Sequence, residues 1–132
     1  MHLQFPGTRT RALDGNFPYL DGFPLLPHLS HDDGEKLDLA FFYTDQAGVY
    51  QAGYSLRWDM PWLQPLLRDW PLDEACTGAM LRWLAANPIG EDFKVLVEPH
   101  LSERLEVTGA AIRFQGCRAA RHDDHLHLQF HP

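Results

Sequence analysis

The sequence predicts an α+β domain: a small antiparallel sheet with flanking helices and a Pro- and aromatic-rich N-terminal arm. Three observations carry this. The chain has 132 residues, 45% of them hydrophobic, which is one domain's worth with enough apolar material for a core. One stretch, Leu72 to Ala86, repeats its apolar residues at helical spacing and has a start and a stop signal. Another, His125 to Phe130, alternates with period two, as a strand does.

Taken in order, the chain as far as Pro27 carries prolines at 6, 18, 24 and 27 among aromatics, as in Phe17-Pro18-Tyr19 and Asp21-Gly22-Phe23-Pro24. Proline prevents helix and disfavours a central strand, so residues 1–21 read as an extended arm laid over the single domain, 1–132. Leu37 to Tyr43 is an apolar and aromatic run of strand length. Asp45 to Gly53, with Gly48 and Gly53, reads as a loop or hairpin tip. Trp58 to Trp70, interrupted by Pro61 and Pro65, reads as short helical turns packed on the core.

The helix over 72–86 follows Pro71, takes Asp73 as its cap and ends at Asn87-Pro88. Leu72, Cys76, Met80, Trp83 and Leu84 form its expected core stripe. Lys94 to Val97 is a strand that Glu98-Pro99 breaks before a short helix, His100 to Leu105. Ala111 to Gln115 and His125 to Phe130 are two more strands, the last with His125, His127 and Gln129 on one face and Leu126, Leu128 and Phe130 on the other. The two cysteines, Cys76 and Cys117, are too few for a disulfide scaffold. They can form one bridge in an oxidising compartment or stay buried as small apolar residues.

Eighteen acidic against 11 basic residues give a net charge of −7, and no Lys/Arg-rich tract occurs. Such a chain is a poor binder of nucleic acid or anionic membranes. No apolar run approaches the ~18–20 residues of a membrane span, and Met1 to Thr10 lacks the apolar stretch of a signal peptide.

The eight histidines concentrate the chemistry. One cluster is His28-Leu29-Ser30-His31-Asp32-Asp33-Gly34-Glu35-Lys36-Leu37-Asp38, the other His122-Asp123-Asp124-His125-Leu126-His127. Zinc takes three or four N, O or S donors, and a catalytic site leaves one position to water. A turn at Gly34 lets His31 and Asp38 reach one ion. Asp38 sits within Leu-Asp-Leu-Ala-Phe-Phe-Tyr, where a bare carboxylate is costly to bury without a partner. Period two points His125 and His127 to one side, so that one can ligate a metal while its neighbour handles a proton.

The pattern Ser30-His31-x-x-Gly34-x-x-x-Asp38, followed by His125-x-His127, resembles the zinc signature of a peptidase superfamily. Its members are the lysostaphin-type endopeptidases, the D-Ala-D-Ala metallopeptidases and the Hedgehog signalling domain. The nearer likeness is to the penicillin-insensitive murein endopeptidases, through His28, the ending His122-x-x-His125-x-His127 and Val97-Glu98-Pro99-His100-Leu101. The likeness covers about residues 22–39 and 93–130 and leaves 44–70 unassigned. It implies Zn2+ held by His31, Asp38 and His127, with His125 as the catalytic histidine. His122 and His28 would line the site as proton or substrate contacts, and Asp123 or Asp124 would orient His125. The implied activity is hydrolysis of peptide cross-links in peptidoglycan, with its peptide stems as partner and the periplasm or cell envelope as location. Phe23 and Tyr43 are candidate substrate contacts.

Two other classes are open. A zinc-binding module without catalysis, as in Hedgehog domains, would use the same ligands. A phosphoesterase of the 2H type is suggested by His28-Leu29-Ser30 and His100-Leu101-Ser102, but His31 and Glu103 stand where that motif continues with an apolar residue.

Overall fold

The computed structural model describes residues 4–10, 12–15, 34–44, 50–52, 72–116 and 125–130. In chain order the elements are β1 (Ala12–Asp14), β2 (Lys36–Ala40), β3 (Phe42–Thr44), β4 (Tyr50–Ala52), α1 (Glu74–Ala86), β5 (Lys94–Leu96), α2 (Pro99–Arg104), β6 (Ile112–Arg113) and β7 (His125–Gln129). The α+β class holds. The alternating last strand, β7, takes the middle of a five-stranded sheet of order β1-β2-β7-β5-β6. All its pairings are antiparallel except β5 with β6, which are parallel. The connection between those two contains α2, the kind of crossover that parallel neighbours require.

β7 works because its alternation meets a core on one side. Leu126 and Leu128 join a cluster with Val95, Val97, Phe93, Phe41 and Phe42, closed by Cys76, Met80, Leu81 and Leu84 of α1 and by Leu101 and Leu105 in and after α2. Phe93 stacks on Phe130 with ring centroids 6.2 Å apart.

The run predicted as one strand over 37–43 divides at Phe41, and its second half pairs with β4 in a separate two-stranded sheet. Successive side chains on a regular strand point to opposite faces, yet Phe41 and Phe42 both enter the same core, 0% and 1% exposed. The pleat has to break for that. Phe42's backbone then pairs with α1: its N–H donates to Thr77 Oγ1 at 3.1 Å, and its carbonyl accepts from Asp73 N–H at 2.8 Å. β4 thus lies inside the segment expected as a loop or hairpin tip and pairs antiparallel with β3, while residues 45–49 of that segment lie outside the described residues.

The N-terminal arm is also corrected in part. Residues 12–14 form β1, an edge strand on β2, in the proline-free stretch between Pro6 and Pro18. An edge strand needs a partner on one side only, so nearby prolines do not prevent it. Phe5 packs against the core, as an aromatic arm should. The predicted helical turns of 58–70 lie outside the described residues. The remaining elements end within two residues of their expected limits: 94–96, 99–104, 112–113 and 125–129.

Helix α1 has the predicted cap, Asp73 Oδ1 accepting from Cys76 N–H at 2.9 Å. Its buried residues are Cys76, Thr77, Gly78, Met80, Leu81 and Leu84. Trp83 was expected in that stripe and is instead 55% exposed. At 3.6 residues per turn it lies about 110° from the centre of the buried arc, which Thr77 and Leu81 pull to the other side. Cys76 is a free, buried thiol; burial first, and then the nearby Asp73 carboxylate, push its pKa up to about 11. Among the described residues no helix is long and apolar enough to cross a membrane.

The helix therefore predicts a contrast. Leu81→Ala should cost about 2–5 kcal/mol of stability, whereas Trp83→Ala should stay within about 1 kcal/mol. Urea denaturation of the two variants checks it, and equal losses would show that α1 buries a different face.

Candidate functional site

The site starts from the register of β2 against β7. Asp38 lies directly opposite His127, and Ala40 opposite His125. Cross-strand partners share a face, and β2 and β7 each repeat that face every second residue. Lys36, Asp38 and Ala40 therefore stand on the same side as Gln129, His127 and His125, away from the Leu126–Leu128 core. On the other flank of β7, Leu96 pairs with His127. The turn that delivers β2 passes through Gly34, whose φ of 76° is in the left-handed region that glycine adopts without strain.

These placements bring three of the sequence-predicted residues together. Asp38 Oδ1 is 2.9 Å from His127 Nδ1, and Asp38 Oδ2 is 3.7 Å from His125 Nε2. All three are buried, Asp38 at 0%, His125 at 3% and His127 at 4% exposure. The carboxylate inside the apolar run has the partner that its burial demanded. With Nδ1–H donating to Oδ1, the carboxylate fixes the orientation of the His127 ring. The shorter of the two contacts is a hydrogen bond; the longer is beyond hydrogen-bond range.

His28, His31, His122, Asp123 and Asp124 lie outside the described residues, and Phe23 does too. Tyr43 is half-buried on β3 and packs against the main core. Among the described residues no group of three or more His, Cys, Asp or Glu side chains is arranged to hold a metal ion. The described residues do include two of the three expected ligands, Asp38 and His127. Both are donor types that zinc takes, and zinc bonds of about 2.0–2.2 Å at tetrahedral angles would separate two donors by about 3.3–3.6 Å. The observed 2.9 Å is a few tenths shorter, and a cation there would displace the shared proton.

One further residue reaches this neighbourhood unannounced by the sequence. The pairing of β1 with β2 sets Asp14 opposite Asp38 in backbone register, next to an irregularity between Ala12 and Asp14. Nothing in an arm of prolines and aromatics signals a register, so no local pattern points to it. His100, by contrast, is exposed on α2, and Ser102 donates its hydroxyl to the Pro99 carbonyl at 2.9 Å. Neither contributes to the buried cluster.

The buried pairing makes Asp38 a stability element as well as a candidate ligand. In chelator-treated protein, Asp38→Ala should lose about 1–3 kcal/mol, because two buried imidazoles are left without their carboxylate, and Asp38→Asn should lose less. Chemical denaturation measures both; an unchanged Asp38→Ala midpoint would mean the pair contributes nothing to folding.

No protein-family model, no curated protein and no solved structure matches this chain, so the arrangement of Asp38, His125 and His127 has to be interpreted on its own geometry.

Proposed function

We propose that the chain is a zinc-dependent hydrolase of peptide cross-links in bacterial murein. The observation that carries the proposal is the meeting of Asp38 with His127, 89 positions away in sequence, and with His125 across β2 and β7. The choice of substrate, and with it a periplasmic or cell-envelope location, rests on the resemblance of the His31–Asp38 and His125–His127 motifs to murein endopeptidases.

His31, Asp38 and His127 would hold the ion. When bound there, zinc supplies Lewis acidity to the scissile carbonyl and acidifies a water towards neutral pH. His125 accepts the proton of the attacking water and returns it to the leaving amine. Asp38 Oδ2, 3.7 Å from His125 Nε2, stabilises the imidazolium formed in between. His122 and His28 would contact substrate or relay protons, with Asp123 or Asp124 orienting His125.

A second reading, a zinc-binding module without turnover, is favoured by one specific observation. Asp38, His125 and His127 are all nearly closed to solvent, which suits a structural or ligand-presenting centre more readily than an open cleft. Tests for the two readings differ.

Elemental analysis of the zinc-supplied chain should give one zinc per chain, retained by His125→Ala and lost by His127→Ala. Absence of stoichiometric zinc, or its full retention in His127→Ala, rejects the ligand assignment.

Digestion of cross-linked murein fragments, followed by mass spectrometry, should show cleavage that a chelator stops and penicillin does not. His125→Ala should lose ~10²–10⁴-fold in rate while keeping its metal. An undiminished rate in that variant rejects the proton-transfer role. A zinc-loaded protein inert on every fragment selects the binding module.

A further inference from the structure

The face of the sheet that carries Asp38 and the two histidines continues past them. One pleat repeat along β2 and β7, Lys36 lies opposite Gln129, and on the far flank Lys94 of β5 lies opposite the same Gln129. Lys36, Gln129 and Lys94 thus form a row across three adjacent strands, all on the face of Asp38 and His127. The next row is Asp38, His127 and Leu96, and beyond it stand Ala40 and His125.

Burial changes sharply between these rows. Ala40, His125, Asp38, His127 and Leu96 are buried, whereas Lys36, Gln129 and Lys94 are each only half-buried. Among the described residues of this face, the lysine row is therefore where it emerges towards solvent. In backbone register its two lysines flank one glutamine, on neighbouring strands spaced about 4.8 Å apart. In a chain of net charge −7, two lysines in register beside one polar cluster concentrate positive charge where the overall field is negative.

We infer that the Lys36–Gln129–Lys94 row is a binding site for a carboxylate-bearing peptide, seated at the approach to the Asp38–His127–His125 cluster. Each ammonium carries three donors, so donation to a ligand oxygen is compatible with contacts to the protein, and the Gln129 amide adds a donor between them. Two single charges match a carboxylate, not a polyphosphate or nucleic acid, which the net charge opposes. The rows are about 7 Å apart along the strands, two residues of extended backbone. A carboxylate on the lysine row therefore sets an amide one to two residues upstream against the cluster. That last placement rests on the hydrolase proposal; the anion site does not.

The test uses the full chain with chelator present, so that metal plays no part, and follows backbone amide shifts by NMR. The probes are N-acetyl-alanyl-alanine and its C-terminal amide. The acid should bind about tenfold more tightly, as expected for hydrogen bonds between charged groups, shift the Gln129 amide, and weaken as salt is raised. Lys36→Gln with Lys94→Gln should abolish the preference for the acid, and Lys36→Arg with Lys94→Arg should restore it. Equal affinity for acid and amide, no measurable binding of either, or a preference that survives the double Gln variant overturns the site. A preference for the acid in a protein that neither binds zinc nor cleaves murein supports the anion site and removes only the hydrolase reading.

Discussion

A carboxylate with no exposure to water, in the second strand of the sheet, is the constraint on which the rest of this structure depends. Asp38 interrupts an otherwise apolar and aromatic run, and an ionised group without a partner there would cost several kcal/mol. The cost is met by a strand from the far end of the chain, whose histidines reach it only if β7 runs antiparallel in one register. A slip of one residue would set Leu126 or Leu128 against Asp38 and turn both histidines into the main core. Register, burial of the leucines and pairing of the carboxylate are therefore one choice.

A second constraint acts at the other end of β2. Two consecutive phenylalanines, Phe41 and Phe42, are drawn into the same core, and a pleated strand cannot do this without a break. The break releases Phe42's backbone groups from the main sheet, and Thr77 and Asp73 at the start of α1 take them up. Asp73 then has two tasks, since its side chain caps the helix while its amide binds Phe42. Through this contact the helix that covers the core is tied directly to the strand that carries Asp38.

The cluster's burial bears on function in two ways. Low exposure strengthens the hydrogen bond between Asp38 and His127 and excludes bulk water from it. It also limits access to the cluster, and on the described part of the sheet the half-buried Lys36–Gln129–Lys94 row is where the polar face becomes more exposed. The leucines on the reverse of β7 supply rigidity, so the imidazoles are held by both a carboxylate and a packed strand.

The sequence by itself determined the elements whose cause is local. The α1 cap, its stop at Asn87-Pro88, the proline that opens α2 and the period-two alternation of β7 are all written within a few residues of where they act. That His125 and His127 share a face, and that Asp38 needs a partner, followed from pleat geometry and desolvation alone. Only the tertiary structure decided that the partner is His127, that Asp14 arrives opposite Asp38, that the 37–43 run divides at Phe41 and that Trp83 leaves the core stripe. Each of these depends on what packs or pairs from a distant part of the chain: strand register, the demand of two phenylalanines for one core, and the side from which Thr77 and Leu81 are covered. Periodicity gives a residue its face, but not which strand lies beside it.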